Sequence, residues 1–415
     1  MDHFHYKNGQ LYAEDVAITE IAARVGTPFY CYSTATFTRH YTVFNEALKD
    51  YDRKICFAVK ANSSLAVLKT LAQLGCGADT VSAGEIHLAR KAGIAPENIV
   101  FSGVGKTKDE MAYALREGIF QFNAESRAEL GALNEVAQSL GKKAPVALRV
   151  NPAVDPQTHE KISTGQKESK FGIAFDAVRE AYDFAASLPH LQVQGISMHI
   201  GSQLTSLTPF RQAFRAMLQM TNELRAAGHN IQTLDLGGGL GVPYGIESDA
   251  PPLPTAYAQA VYEEIGEFDG TLLFEPGRMI AANAGILVAQ VIYLKDHYVI
   301  VDAGMNDLMR PALYDAYHEI VRCQASDARC QRYHVVGPVC ESSDIFGRDR
   351  ELAELKSGDL LAFRSCGAYG GSMSNQYNAR PLIPEVMVRG SDWAITRPRP
   401  SYDEMLANQK LPEWL

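Results

Sequence analysis

The chain has 415 residues, of which 46% are hydrophobic and 21% are charged, a balance typical of a globular protein with a large buried core. Its formal net charge is −9, which argues against a surface for nucleic acid or anionic membranes, because such surfaces are basic. No run of about 18 apolar residues occurs, so the sequence predicts no membrane-spanning helix.

The N-terminus and the cysteines favour the cytoplasm. The first six residues are polar and aromatic, and they lack the charged start and apolar stretch of a signal peptide. The cysteines are scattered, odd in number and without a CxxC pair; they are Cys31, Cys56, Cys76, Cys323, Cys330, Cys340 and Cys366. This pattern predicts reduced thiols, with no disulfide framework and no metal site.

Short β-rich runs recur after the first 35 residues, and each is followed by a helix-like stretch. The eight runs cover residues 54–59, 76–81, 98–102, 120–123, 145–150, 193–199, 233–236 and 271–274. Several are almost continuously apolar, as expected for parallel strands that are buried on both faces. Eight such units over about 240 residues match a (β/α)₈ barrel. A doubly wound open sheet is the alternative, although its glycine fingerprint would usually follow the first strand.

The pattern changes after about residue 281. Strand-like runs at 286–294, 298–302, 334–339, 359–363 and 384–389 are joined by loops, with few helices. They predict a separate β domain, a sandwich or barrel. The first 35 residues have no place in the (β/α)₈ barrel and are predicted to join this domain. We therefore predict a barrel of residues 36–280 and a β domain of residues 1–35 and 281–415.

Functional residues of such a barrel lie at the carboxyl ends of its strands. Three consecutive glycines, 237–239, follow the seventh strand, where phosphate sites commonly form and where backbone N–H groups can approach an anion. Gly239, Ser202 and Arg278 could converge on one phosphate. A flexible turn is the alternative interpretation of the glycines.

Three more strand ends carry candidate catalytic groups. Lys60 follows the first strand, where desolvation would favour a Schiff-base amine, although a lysine there can also be a solvated edge residue. Glu275 follows the eighth strand and could keep a pyridine nitrogen protonated, or form an ion pair with Arg278. His199 could stack on a ring or be an ordinary core histidine. Lysine, phosphate cradle, histidine and carboxylate together fit one cofactor site.

At these residues the sequence resembles the fold-type III pyridoxal-phosphate decarboxylases, which pair an alanine-racemase-like barrel with a C-terminal β domain. The segments that carry the resemblance are 57–62, 199–203, 237–239 and 275–278. Within that group, residues 305–314, 340–344 and 367–370 are similar to the diaminopimelate decarboxylase family.

The resemblance implies a role for each candidate. Lys60 would form the internal aldimine with pyridoxal 5′-phosphate, His199 would stack on its ring and Glu275 would pair with the ring nitrogen. The phosphate end would be bound by residues of both domains, namely Ser202, Gly239, Gly277, Arg278 and Tyr369. Asp79, Glu85 and Arg149 match supporting positions.

The family also implies a substrate, meso-2,6-diaminopimelate, which is converted through aldimine and quinonoid intermediates to L-lysine and carbon dioxide in the last step of lysine biosynthesis. The distal carboxylate would be held by Arg278, Arg310 and Tyr314, and Tyr369 would also bind the substrate. Cys340 would return a proton and Glu341 would bind the distal ammonium, both from the partner subunit of a homodimer. Two arginines can grip a carboxylate bidentately, which agrees with these roles.

Two alternatives remain open at this point. One is a sibling decarboxylase of another bulky amino acid, such as carboxynorspermidine or a siderophore precursor. The other is a non-catalytic carrier of pyridoxal phosphate, although such carriers are typically single barrels. The polar segment 151–171 is either a solvated loop or an active-site lid.

Overall fold

The structure is a computed structural model that describes residues 2–155, 170–245 and 250–415. These residues form two compact units. One unit contains residues 2–36, 244–245 and 282–415, and the other contains the remaining described residues. Most of the predicted loop or lid, residues 156–169, lies outside the described residues.

The N-terminal segment begins with a small antiparallel sheet of β1 (Phe4–Lys7), β2 (Gln10–Ala13) and β3 (Val16–Ala17). Helix α1 (Ile18–Val25), strand β4 (Phe29–Ser33) and helix α2 (Thr34–Ala47) follow. Every residue of β4 is buried, which requires that both of its faces are covered by other parts of the protein.

The second unit is a closed parallel barrel. Its strands are β5 (Arg53–Ala58), β6 (Gly77–Thr80), β7 (Ile99–Phe101), β8 (Gln121–Ala124), β9 (Ala144–Asn151), β10 (Ile173–Ala174), β11 (Leu191–Ser197), β12 (Thr233–Asp235) and β13 (Thr271–Phe274). All except β10, which pairs with the outer part of β9, form a ring that closes where β13 pairs with β5. The predicted (β/α)₈ barrel is therefore confirmed, and the open sheet is excluded.

Helices separate the barrel strands. They are α3 (Leu65–Gln73), α4 (Ala83–Ala92), α5 (Lys108–Glu117), α6 (Arg127–Ser139), α7 (Val178–Ser187), α8 (Thr208–Ala226), α9 (Pro254–Ile265) and α10 (Arg278–Ala281). Several begin at a hydroxyl cap; for example, the side chain of Ser82 accepts a hydrogen bond from the backbone N–H of Glu85. None of the helices that the structure describes is both long and apolar enough to cross a membrane.

The C-terminal part is rich in strands. It contains β14 (Gly285–Lys295), β15 (Tyr298–Val301), α11 (Arg310–Tyr314), β16 (Ile320–Arg322), β17 (Cys330–Val336), β18 (Ile345–Ala353), β19 (Leu360–Phe363), β20 (Glu385–Arg389), β21 (Asp392–Arg397) and α12 (Tyr402–Leu406).

One sheet of this unit runs in the order β18-β17-β15-β14-β4-β20-β21, and β19 pairs with both β14 and β16. Strand β4 lies between β14 and β20, with Tyr30 opposite Leu287 and Cys31 opposite Val386. The prediction that the N-terminal segment joins the β domain is thus confirmed by strand pairing.

Candidate active site

Lys60 lies in a short 3₁₀ turn, Val59–Ala61, directly after β5. Its ammonium Nζ donates a hydrogen bond to Oδ2 of Asp79 at 2.8 Å. Asp79 comes from the neighbouring strand β6, and its side chain is fully buried. Its second oxygen, Oδ1, has no hydrogen-bond partner among the described residues. Lys60 is therefore tethered to a fixed buried anion, unlike a solvated edge lysine.

Glu275 follows β13 and is buried. Its Oε1 accepts hydrogen bonds from Nδ2 of Asn123 at 3.3 Å and from Oγ of Ser102 at 3.5 Å. Asn123 also donates to Oδ2 of the buried Asp235 at 3.0 Å. Burial, together with the carboxylates of Asp235 and Asp79, raises the pKa of Glu275 well above its usual value.

His199 follows β11 and is held by the glycine turn. Its Nδ1 accepts a hydrogen bond from the backbone N–H of Gly238 at 3.3 Å. Desolvation, together with the cations of Arg149 and Lys60, lowers the pKa of His199 well below its usual range. The imidazole is therefore neutral, and its Nδ1 is the unprotonated nitrogen.

These groups share one cavity. Lys60, His199 and Glu275 line a space of about 200 Å³ inside the barrel unit, together with Ser102, Asn123 and Arg149. Arg149 is fixed by a hydrogen bond to Oε1 of Glu125 at 2.9 Å. The structure thus brings together three of the residues that the strand-end argument selected.

Two of the predicted phosphate residues, Ser202 and Arg278, are in direct contact. The guanidinium of Arg278 donates to Oγ of Ser202 at 3.0 Å. Gly239 has a φ of +108°, and a Cβ there would lie 2.5 Å from the carbonyl oxygen of Gly201. A Cβ on Gly277 would lie 3.0 Å from Cβ of Ala58. A side chain at Gly239 is therefore excluded, and one at Gly277 would require its neighbours to shift, so close packing favours a fixed turn over a flexible one.

Arg310 and Tyr314 lie one turn apart on α11, so they face the same side of that helix. Arg310 is buried. Its Nη1 lies 2.8 Å from Nε2 of His318, and its guanidinium carbon lies 4.4 Å from the ring centre of Tyr244. Two further β-domain candidates for the substrate, Cys340 and Glu341, lie on the loop between β17 and β18.

The loop with Cys340 and Glu341 is exposed in the single chain. The carboxylate of Glu341 accepts hydrogen bonds from the hydroxyls of Tyr377 and Ser343. The loop is fixed at its base by Asp344, whose two oxygens accept backbone N–H groups of Met305 and Val339, each at 2.7 Å. The thiol of Cys340 is thereby presented on a well-anchored surface loop.

Tyr369, the last predicted contact to the phosphate end, lies in the left-handed region with a φ of +56°. The next residue, Gly370, is closely packed, since a Cβ there would lie 2.5 Å from the carbonyl oxygen of Cys366. The backbone around Tyr369 is therefore fixed by local packing.

Sequence reasoning missed several residues of these clusters. Asn123 and Asp235 lie at the ends of the fourth and seventh barrel strands, so a full reading of polar strand ends could have found them. Ser102 follows the third strand in the same way. His318 had no such signal, because only the fold brings it to Arg310.

A family described as pyridoxal-dependent decarboxylase, pyridoxal binding domain, matches residues 34–282. The diaminopimelate decarboxylase of Zymomonas mobilis is 50% identical over 419 residues, with 99% of each chain covered. That of Vibrio cholerae is 50% identical over 420 residues, with 100% of each chain covered. The chain belongs to the diaminopimelate decarboxylase family. The predictions of this family and of a pyridoxal-dependent decarboxylase are confirmed.

The fold agrees with solved structures of this family. The crystal structure of Helicobacter pylori diaminopimelate decarboxylase complexed with L-lysine superposes with a TM-score of 0.91 at 42% identity. The alignment covers 94% of this chain and 98% of that one.

Pyridoxal phosphate suits the residues of the barrel cavity. Asp79, Asp235 and Glu275 are buried carboxylates, and Asp79 pairs with the ammonium of Lys60. Because Asp235 and Asp79 both act on Glu275, this cluster favours a further cationic group such as a protonated pyridine nitrogen. The neutral ring of His199 can stack without repelling such a cation. The Ser202–Arg278 pair supplies donors for a phosphate.

Proposed function

We propose that this protein decarboxylates meso-2,6-diaminopimelate to L-lysine and carbon dioxide, the last step of lysine biosynthesis. The observation that carries the proposal is the cavity where Lys60, His199 and Glu275 meet, in a chain that matches diaminopimelate decarboxylases over almost its whole length. The Helicobacter pylori relative binds L-lysine, the product expected here.

The cofactor would be held by residues that follow the barrel strands, together with Tyr369 of the β domain. Lys60 would be the covalent attachment point, and Ser202, Gly239, Gly277, Arg278 and Tyr369 would bind the phosphate end. When bound, pyridoxal phosphate supplies an electron sink for the pair that is released when carbon dioxide leaves. Oε1 of Glu275 would hold the proton of the ring nitrogen, and His199 would cover one ring face.

The substrate's distal end needs both a cation and an anion. Arg310, Tyr314 and Arg278 would hold the distal carboxylate, Tyr369 would also contact the substrate, and Glu341 would bind the distal ammonium. Cys340 Sγ would donate a proton to the carbon that loses the carboxylate. Ornithine-type substrates lack a distal carboxylate, so an Arg310–Tyr314 pair favours diaminopimelate.

We further propose that the enzyme is a cytoplasmic homodimer in which Cys340 and Glu341 act in the partner subunit's site. The exposure of Cys340 in the single chain supports this assignment, because a proton donor must be shielded from bulk water to act at one carbon. The thiols also suit a reducing compartment: all seven cysteines are unpaired.

The test is an assay of lysine formation from meso-diaminopimelate with the purified holoenzyme. Lys60→Ala should abolish both turnover and the visible absorbance of the lysine-bound cofactor, because no other amine replaces the attachment point. The matched control, Lys91→Ala, changes an exposed lysine on α4 and should leave both unchanged.

The same assay separates the rival functions. Carbon dioxide release from carboxynorspermidine, with none from diaminopimelate, would support a sibling decarboxylase. Cofactor binding without turnover of any amino acid would support a carrier. An unchanged cofactor spectrum in Lys60→Ala would overturn the role of Lys60.

A further inference from the structure

A buried histidine contacts the guanidinium that is proposed to bind the distal carboxylate. His318 is fully buried, and its Nε2 lies 2.8 Å from Nη1 of Arg310. Its other nitrogen, Nδ1, lies 2.8 Å from the backbone carbonyl oxygen of Arg364. Neither partner belongs to the barrel cavity described above.

These two contacts fix the proton on the ring. A carbonyl oxygen only accepts, so Nδ1 must carry the hydrogen and donate it to Arg364. A guanidinium only donates, so Nε2 must be the acceptor for Arg310. His318 is therefore a neutral imidazole in its Nδ1–H form, and it uses one of the donors of Arg310.

The position of His318 is set by the sheet. Residues Ile320 and Phe363 are paired between β16 and β19. The backbone N–H of Arg364 donates to the carbonyl oxygen of Glu319 at 2.8 Å. Arg364, whose own carbonyl oxygen holds His318, therefore continues the hydrogen bonding between β16 and β19. A strand-based anchor fixes a side chain more tightly than a loop does.

The ring of Tyr244 stacks on the guanidinium of Arg310. Its ring centre lies 4.4 Å from the guanidinium carbon and 5.3 Å from the ring centre of His318. Together, His318 and Tyr244 restrain both the direction and the plane of Arg310. A guanidinium binds both oxygens of a carboxylate well only when the orientation of its plane is fixed.

We infer that His318 is the positioning residue that orients Arg310 toward the distal carboxylate of the substrate, and so helps to select amino acids that carry a second carboxylate. The inference rests on the proposed function, which gives Arg310 that role. His318 itself touches neither substrate nor cofactor.

Two substitutions distinguish the Nε2 acceptor for Arg310 from the Nδ1 donor that anchors the ring to Arg364. His318→Asn keeps a donor near the position of Nδ1 but removes the acceptor for Arg310. His318→Gln places an amide oxygen near the position of Nε2 and can still accept. The matched control is Cys366→Ala, because the Cys366 sulfur contacts His318 at Nδ1, at 3.4 Å, and its removal leaves the Nε2 acceptor for Arg310 in place.

The expected result in the holoenzyme is a split between KM and kcat. His318→Asn should raise the KM for meso-diaminopimelate about ten- to hundredfold, with a smaller change in kcat, since a charge-assisted hydrogen bond is lost. His318→Gln should recover part of that loss. Inhibition by L-lysine, which keeps the carboxylate, should weaken in His318→Asn, whereas inhibition by 1,5-diaminopentane should not.

Three outcomes would overturn the inference: a wild-type KM in His318→Asn, equal losses in the Asn and Gln variants, or the same KM change in Cys366→Ala. A wild-type enzyme that releases no lysine from diaminopimelate would instead contradict the proposed function. The two failures are therefore distinguishable.

Discussion

Glu275 is a buried carboxylate that faces other carboxylates. Burial and the neighbouring Asp235 and Asp79 raise its pKa well above the usual value. The ionised carboxylate of Glu275 is therefore destabilised in the cofactor-free protein. A protonated pyridine nitrogen of the cofactor would stabilise the ionised carboxylate instead, because it supplies a cation. The same residue would thus serve the chemistry and cost stability when the cofactor is absent.

Glu275→Gln tests both consequences. Because the pKa of Glu275 is raised in the folded state, its contribution to folding stability is fully present below the unfolded-state pKa of about 4.3. That contribution is lost as the pH rises through the folded-state pKa. The melting temperature of the cofactor-free wild type should therefore fall more between about pH 5 and about pH 8 than that of Glu275→Gln. The variant should also lose about 10²-fold in kcat, because the ring nitrogen loses its charged partner.

The control for this pair of measurements is Glu351→Gln, which removes an exposed carboxylate on β18. It should leave both the pH slope and kcat at their wild-type values, because an exposed ion pair contributes little. Parallel pH slopes for wild type and Glu275→Gln would contradict the electrostatic account.

Candidate residues could be selected from the sequence where one strand end carries one chemical group. Lys60, His199 and Glu275 were selected in this way, and the structure gathers them. Their partners were harder to predict, because the contact of Asn123 with Asp235 depends on which strands lie across the barrel. The neutral state of His199 likewise depends on desolvation and on two cations from other strands.

The loop between β17 and β18 carries Cys340 and is held in place by the buried carboxylate of Asp344. Asp344 is buried and accepts two backbone N–H groups, of Met305 and Val339, with one carboxylate. A Cβ on Gly337 would lie 2.4 Å from Oδ2 of Asp344, so the loop packs directly on this carboxylate. The placement of Cys340 thus depends on an anchor that has no chemical role.

Asp344→Asn should loosen that anchor. An amide offers one acceptor where the carboxylate offers two, so one buried N–H loses its partner, and we expect a loss of about 1–3 kcal/mol in the free energy of unfolding. Denaturant titration measures this loss. Turnover should fall while the cofactor absorbance stays, because the barrel cavity is unchanged.

Asp349→Asn is the matched control. Asp349 is exposed on β18, and its carboxylate makes only a long surface ion pair, 4.0 Å from Nδ1 of His334. It should change neither the unfolding free energy nor turnover measurably. If Asp344→Asn behaves in the same way as this control, the anchoring role is wrong.

Elements with a strong burial pattern were predicted well. Each of the eight barrel strands lies within about two residues of its predicted position, because continuous apolar runs mark strands that are buried on both faces. In the β domain after residue 281, strands β16, β18 and β21 were missed. Strand β18 (Ile345–Ala353) has charged residues in its centre, and β21 is mostly exposed. Both lie at the edges of their sheet, where the apolar signal is weak.

At the scale of the whole molecule, the chain crosses between its two units more than once. Strand β4 enters the β domain before the barrel begins, and it is hydrogen-bonded to β14 and β20 from the other end of the chain. Composition alone could indicate that residues 1–35 lie outside the barrel. It could not indicate the pairing partner, because pairing across more than 250 residues of sequence has no local signal.

The proposed homodimer makes a quantitative prediction for mixed subunits. Lys60→Ala removes the cofactor attachment point and Cys340→Ala removes the proton donor, so each variant alone should be nearly inactive. If Cys340 acts in the partner's site, a heterodimer of the two variants has one intact site and one doubly defective site. Random reassociation of equal amounts should therefore restore about a quarter of the wild-type turnover. Two affinity tags isolate the heterodimer, and turnover that stays at the level of the single variants in this isolated species would rule out a shared site.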